Sequence, residues 1–476
     1  MSREHKNISH GDDPVEAGVR AVLVSTYELG RQPFGLASPA SWLRRVGASV
    51  TCMDLSRERL DEVAVRAADL VAFYVPMHTA TRLAALVVQR VKALNPRAHL
   101  CFYGLYAPVN EGFLRSLGAG TILGGEFEEG LLSLVRRLRA RRNGPGSAPQ
   151  PEPVISLAKQ RFLVPDRSGL VPLSQYAQVH LPDGARRTVG YTEASRGCMH
   201  LCRHCPIVPV YNGQFRIVQR DVVLEDIRRQ VAAGAEHITF GDPDFFNGPG
   251  HAMALVRSLH EEFPHVTYDV TIKIEHLLEH RALLPALRDT GCLFVTSAVE
   301  SVEDRVLALL DKGHTRQDFI DVVGLFRAAG LVLNPTFVAF TPWISLEGTQ
   351  DLLALLAGLD LIEHVAPVQL AIRLLIPAGS RLLELAEVRD LVGPFDEAAL
   401  CYPWRHPDPR VDSLFEEVHA LVQAAEARGD SRREIFSRVW LAAARGAGGS
   451  GRGLPDLPVA GRPRTSIPYL TEPWYC

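Results

Sequence analysis

Gly197-Cys198-Met199-His200-Leu201-Cys202-Arg203-His204-Cys205-Pro206 (GCMHLCRHCP) places three of the chain's eight cysteines within eight residues. The other five, at 52, 101, 292, 401 and 476, stand singly. A disulfide framework spreads its cysteines along the chain, whereas C-x3-C-x2-C on one loop lets three thiolates converge on a soft metal centre. Three protein ligands on a four-iron cube leave one iron open, and an open coordination position separates a reactive centre from a closed structural one. A zinc site using these cysteines with His200 or His204 is the competing reading. Zinc motifs usually pair two short cysteine spacings, and no second C-x2-C exists here, which favours iron–sulfur.

The residues around the loop predict its scaffold. Val189–Glu193 reads as a short strand feeding it. Further strands are predicted at Glu236–Phe240, Val266–Thr271, Leu293–Ser297, Val332–Val338 and Val368–Arg373, with helices between. Thr315 to Ala329 is one such helix, with Phe319, Val322, Val323 and Phe326 on one face, Asp318 completing a capping box and Gly330 as the stop. Six strands alternating with helices predict a (βα)6 partial TIM barrel over residues 189–383.

Upstream, Arg20–Ser25, Ser49–Met53, Leu70–Val75, Ala98–Tyr103 and Gly120–Leu123 read as strands. Thr79 to Leu94, carrying Leu83, Val87 and Val91 at four-residue spacing, reads as a helix. Repeated βα units predict a flavodoxin/Rossmann-like doubly wound α/β domain over 19–142, after a disordered lead-in at 1–18. Asn143 to Pro153 (NGPGSAPQPEP) has linker composition, and the segment through 188 is expected to connect the two domains while packing on both. Residues 384–476 read as a helical extension, with helices at Val411–Glu426 and Arg433–Ala444 and an aromatic, Pro-containing tail suited to docking.

A formal net charge of −3 provides no basic field for nucleic acid. No unbroken apolar run approaches the length of a membrane helix, and Met1 to Gly18 lacks a secretory signal's apolar stretch. These features favour a cytoplasmic protein with a small-molecule or peptide substrate.

C-x3-C-x2-C after the first strand of a six-fold βα barrel resembles the radical S-adenosylmethionine (SAM) superfamily. The resemblance implies that Cys198, Cys202 and Cys205 hold a [4Fe–4S] cluster whose open iron binds SAM. It also implies an electron donor of flavodoxin or ferredoxin type. Reductive cleavage of SAM would give either a 5′-deoxyadenosyl radical or aminocarboxypropyl transfer. By position, Gly241, Asp242 and Asp244 (in FGDPD) match the family's contacts to the SAM amino group, although its usual Gly-Gly-Glu is absent. Lys273, Glu275, Glu300 and Ser301, just past the third and fourth strands, match its polar SAM contacts. A buried carboxylate there would accept ribose hydroxyls. His204 replaces the usual aromatic before the third cysteine.

The front domain resembles the cobalamin-binding domain of class B radical SAM methylases. Gly124-Gly125-Glu126 fits that likeness, but the loop Thr26 to Ala37 has no histidine and so no D-x-H-x-x-G lower-ligand motif. Cobalamin is therefore an optional cofactor, and a cobalamin-dependent radical methylase is an alternative reading. The last residues, TEPWYC, resemble the tail of CUAEP/CCAEP radical SAM proteins, close to arsinothricin-type biosynthetic enzymes. On that resemblance Cys476 is a catalytic candidate that delivers a thiophilic atom, the recorded end is a selenocysteine codon read as stop, and the chain serves specialised or metalloid metabolism. A non-catalytic thiol protein that sequesters metal is the alternative from outside enzymology.

Overall fold

The computed structural model describes residues 18–142, 150–448 and 467–471. The N-terminal sheet is built from β1 (Arg20–Ser25), β2 (Ser49–Asp54), β3 (Leu70–Tyr74), β4 (His99–Tyr103) and β5 (Thr121–Gly125), with β6 (Ile155–Ser156) at the edge. All pairings are parallel, in the order β2-β1-β3-β4-β5-β6. The strands are apolar on both faces because helices cover both, leaving one buried cluster on each side.

The helix His78–Leu94 turns a different face to the sheet than its bulky residues suggest. Ala80, Thr81, Ala84, Val88 and Val91 are buried, while Leu83 and Leu86 are exposed. Of the stripe expected from sequence, Val91 is buried, Val87 is half-buried and Leu83 is exposed. Small residues at three- and four-residue spacing let the helix axis approach the strands, and the leucines one position away face solvent.

The second sheet runs β14 (Val332–Phe337), β13 (Cys292–Glu300), β12 (Thr267–Thr271), β11 (His237–Phe240), β8 (Arg186–Thr192), β7 (Gln178–His180) and β15 (Tyr469–Leu470). β8, β11, β12, β13 and β14 are parallel, while β7 and β15 add antiparallel at the open edge. The predicted strand Val368–Arg373 is instead a 3-10 turn, Pro367–Ala371, joined to the sheet by one bridge between Phe340 and Arg373. Proline cannot donate to a ladder, and the Gln369 side chain accepts the Phe337 N–H that a strand carbonyl would have taken. The barrel is therefore partial, with its sixth unit reduced to a bridge. The helix Arg316–Ala329 has the capping box of Thr315 and Asp318 and ends at Gly330 in the left-handed region.

The stretch 150–188 does more than connect. β6 extends the first sheet and β7 the second. Between them, Asp166 donates its backbone N–H to Ala37, and Ala177 donates to Gly30. Arg167 reaches Gln32 on one side and Asp226 on the other, each at 2.9 Å. Helices Pro409–Arg428 and Arg432–Gly446 share the barrel's own apolar cluster through Val418, Val422, Phe436 and Trp440. Tyr469–Leu470 is the tail's described docking point. Cys476 and residues 1–17 lie outside the described residues.

Candidate active site

The three-cysteine loop leaves a two-stranded ribbon, β9 (Ser195–Gly197) paired antiparallel with β10 (Phe215–Ile217). Gly197 has φ +76°, and a Cβ there would lie 2.4 Å from the Tyr211 ring and 2.5 Å from the Gln214 carbonyl oxygen. Only glycine turns the chain into Cys198 at this point. All three cysteines are free thiols lining one cavity. Burial pushes Cys198 up to about 11 and Cys205 up to about 12, and neighbouring thiols add to both shifts. Three crowded thiols without disulfide partners suit a soft metal centre whose positive charge offsets their ionisation.

Asp242 lines the cavity and also holds this loop in place. Its carboxylate accepts the Ala194 N–H at 2.9 Å and the Ser195 hydroxyl at 2.6 Å, and burial raises it to about 7. Gly241 is required for packing, since a Cβ would fall 1.8 Å from the Tyr191 hydroxyl, and its N–H donates to the Thr192 carbonyl.

Glu300 sits at the end of β13 with φ +70° and a side chain only 2% exposed. Burial would raise its carboxyl, but the Lys312 ammonium and the His204 hydrogen bond outweigh that and take it down to about 2. His204 Nε2 is 3.0 Å from Oε1 and Lys312 Nζ is 3.4 Å from it, while Oε2 is buried without a partner. A carboxylate held ionised with one oxygen free is an acceptor for a ligand hydroxyl. Neighbouring Ser301 is occupied locally, accepting the Glu303 N–H that opens the next helix, and does not line the cavity.

Lys273 lines the cavity and donates to Glu275 at 2.9 Å, with His200 Nδ1 at 3.0 Å. The Glu275 side chain is 44% exposed and outside the lining. Asp244 is buried, caps the turn Phe245–Asn247 through the Phe246 N–H, and faces His200 and His276. The structure thus gathers the cysteines, Gly241, Asp242, Asp244, Lys273 and Glu300 around the cavity, with the Asp242 carboxylate bound to Ala194 and Ser195, and leaves Glu275 and Ser301 outside it.

The cavity measures roughly 510 Å³, within the range of small-molecule and cofactor sites. One wall is the carboxyl edge of the first sheet, with Tyr27, Glu28, Tyr74, Met77 and Tyr106. The other is the barrel mouth, reaching Asn334, Gln369 and Arg373. Sequence reading missed Glu28, Lys312 and His276. Glu28 is buried with Oε2 unpartnered, and burial together with Glu193 and Asp54 keeps its carboxyl well above the usual range. None of the three carries a local motif.

Arg196, one residue before Gly197, ties the loop to the front domain. Its guanidinium forks onto Glu128 at 2.7 and 2.9 Å, bonds Glu193 at 2.6 Å and reaches Glu126 at 3.4 Å. The Gly124-Gly125 pair is explained by packing. A Cβ on Gly124 would meet Pro108 at 2.1 Å, and one on Gly125, at φ +69°, the Ser156 carbonyl at 2.2 Å.

A partial βα barrel with a three-cysteine loop at its mouth suits an enzyme with an open-site iron–sulfur centre. Residues 192–344, about a third of the chain, match the radical SAM superfamily, and that match supports an enzyme of this class, for which a [4Fe–4S] cluster and SAM are implied. It is 22% identical over 400 residues to an uncharacterized methyltransferase of Pyrococcus horikoshii, covering 80% of this chain and 83% of that one. It is 24% identical over 341 residues to the hopanoid C-3 methylase of Methylococcus capsulatus, covering 66% and 62%. A tRNA-2-methylthio-N(6)-dimethylallyladenosine synthase of Prosthecochloris aestuarii is 25% identical over 152 residues, covering 30% of this chain and about a third (34%) of that relative.

The fold is similar to that of the cobalamin-dependent SAM radical enzyme OxsB with aqua-cobalamin and SAM bound. The TM-score is 0.66 at 14% identity, covering 86% of this chain and 67% of that one. It is also similar to the radical SAM methyltransferase TsrM from Kitasatospora setae with tryptophan and a SAM analogue bound, at TM-score 0.60 and 17% identity, covering 78% and 76%. Among the described residues no helix is long and apolar enough to cross a membrane.

Proposed function

We propose that the chain is a cobalamin-dependent radical SAM enzyme of methyltransferase type acting on a small molecule. This favours the methylase alternative over a corrinoid-free reaction in metalloid or other specialised metabolism. The observation that carries the reading is the single cavity bounded by the carboxyl edge of the first sheet and the cluster loop. In open α/β sheets that edge is where ligands bind. The methylase and methyltransferase relatives align along most of the chain and support the same reading.

When bound, the cluster supplies an electron to SAM, and SAM with the corrinoid supplies the methyl group. The chain's own residues bind and orient. Glu300, kept ionised by Lys312 and His204, offers Oε2 to a ribose hydroxyl. The loop Tyr27–Arg31 with Pro76–Thr79 and Leu105–Tyr106 would hold the corrinoid. Tyr74 and Tyr106 line that wall, and Phe294 and Val338 line the barrel side, so apolar surface would exclude water from the reacting atoms. His78 reaches this wall, with its Nε2 engaged by the Ala399 carbonyl at 2.5 Å and so not offered to a ligand. An electron donor of flavodoxin or ferredoxin type completes the proposal.

The test is anaerobic reconstitution with iron, sulfide and hydroxocobalamin, followed by desalting and turnover with SAM and reductant. Retention of one corrinoid per chain and S-adenosylhomocysteine among the products is expected. A protein that retains no corrinoid and releases only 5′-deoxyadenosine or 5′-methylthioadenosine would overturn it. That result would favour the corrinoid-free reading, which the packing role of Gly124-Gly125 and the histidine-free β1 loop support.

A further inference from the structure

We propose that His200, Asp244 and His276 bind one divalent cation of the zinc class beside the cysteine loop, at a site separate from the iron–sulfur cluster. The three residues come from three places: His200 lies between the first two cysteines, Asp244 follows β11, and His276 lies on the turn of helix after β12. His276 Nδ1 is 2.8 Å from Asp244 Oδ2, and His200 Nε2 is 3.5 Å from the same oxygen. One ligand atom from each residue lies within 4.8 Å of the other two. Ligands about 2.1 Å from one ion at tetrahedral or octahedral angles stand roughly 3.0–3.4 Å apart, close to this spacing.

The second observation is that these same atoms are orphaned. His200 Nε2, Asp244 Oδ2 and His276 Nδ1 are all buried, and none makes a hydrogen bond of acceptable geometry. Side-chain exposure is 1% for Asp244, 6% for His276 and 13% for His200. Three buried polar atoms that converge at ion-pair distance, without hydrogen bonds of good geometry, are better satisfied by a cation that accepts all three lone pairs.

The outer partners suit ligation. A cation on His200 Nε2 requires the proton on Nδ1. That N–H faces Glu275 Oε2 at 3.6 Å, and Lys273 Nζ, 3.0 Å from Nδ1, must turn wholly to Glu275 when the ion binds. His200 and Asp244 line the cavity, so a fourth position on the ion faces the ligand space. Two histidines and one carboxylate with an open position can bind an oxygen or nitrogen of the substrate as a Lewis acid. This inference does not depend on a corrinoid.

The test uses chelator-washed, anaerobically reconstituted full-length protein titrated with Co2+ or Zn2+ alone. Metal content and the visible cobalt spectrum are the readouts. One ion per chain beyond the cluster iron is expected, with no thiolate-to-cobalt charge-transfer bands. His276→Ala and Asp244→Asn should each abolish its uptake while cluster iron and absorbance stay unchanged. A chain in which Cys198, Cys202 and Cys205 are all alanine should still take up the ion, which separates this site from zinc on the thiols. No second metal in the unaltered protein, or uptake that survives loss of His276, overturns the proposal.

Discussion

Replacing Arg196 with methionine should destabilise the protein strongly, and more so at alkaline pH. Methionine keeps the apolar volume that packs near Phe34, Phe127 and Phe162 but removes the cation facing Glu126, Glu128 and Glu193. Breaking a buried ion pair by removing one partner costs about 3–5 kcal/mol. Here one cation serves three carboxylates. At about 2 °C per kcal/mol the melting temperature should fall by roughly 6–10 °C.

The pH dependence has a definite sign. In the native protein, burial would raise Glu128, but Arg196 outweighs it and its carboxyl lies below the usual range. Glu128 therefore contributes stability above its unfolded pKa that is lost as pH falls through the folded value. Without Arg196, burial dominates, the folded pKa rises above the unfolded one, and stability falls as pH increases. The gap between native protein and variant should thus be wide at about pH 8 and narrower at about pH 5.5. Thermal melts of the metal-free protein under both conditions measure it. A gap below about 1 kcal/mol, or one equal at both pH values, would refute the assignment of Arg196 as the charge that holds the cluster loop to the front domain.

Cys202→Ala should reduce cluster iron in reconstituted protein to background and abolish SAM turnover, read by iron analysis and product chromatography. Glu300→Gln should weaken SAM binding at least tenfold, about 1.4 kcal/mol, in equilibrium titrations, with cluster absorbance unchanged; an effect within twofold argues against the ribose contact. Gly241→Ala sets a Cβ 1.8 Å from the Tyr191 hydroxyl and should lower stability by about 1–3 kcal/mol in a thermal melt.

The sequence by itself determined what is local. The spacing of Cys198, Cys202 and Cys205 singles out the candidate cluster loop because ligands on one short segment need no distant partner. β1 matches its expected residues, and the other expected strands of both parallel sheets, Val368–Arg373 apart, fall within a few residues of those found. Buried parallel strands are continuous apolar runs. The capping box at Thr315 and the stop at Gly330 are likewise written in adjacent residues.

Tertiary structure alone decided the rest. Val368–Arg373 has the composition of a strand, but Pro367 and the Gln369 side chain leave it a single bridge. Asp242 and Asp244 are two residues apart in one motif. The first braces Ala194 and Ser195, and the second faces two histidines, a division set by which neighbours the barrel brings to each. Glu300 is a candidate acceptor because Lys312 and His204, 12 and 96 residues away, hold it ionised with one oxygen free. His276 and Glu28 carry no signal of their own, since a lone histidine or glutamate gains its chemistry only from burial and from partners that folding delivers.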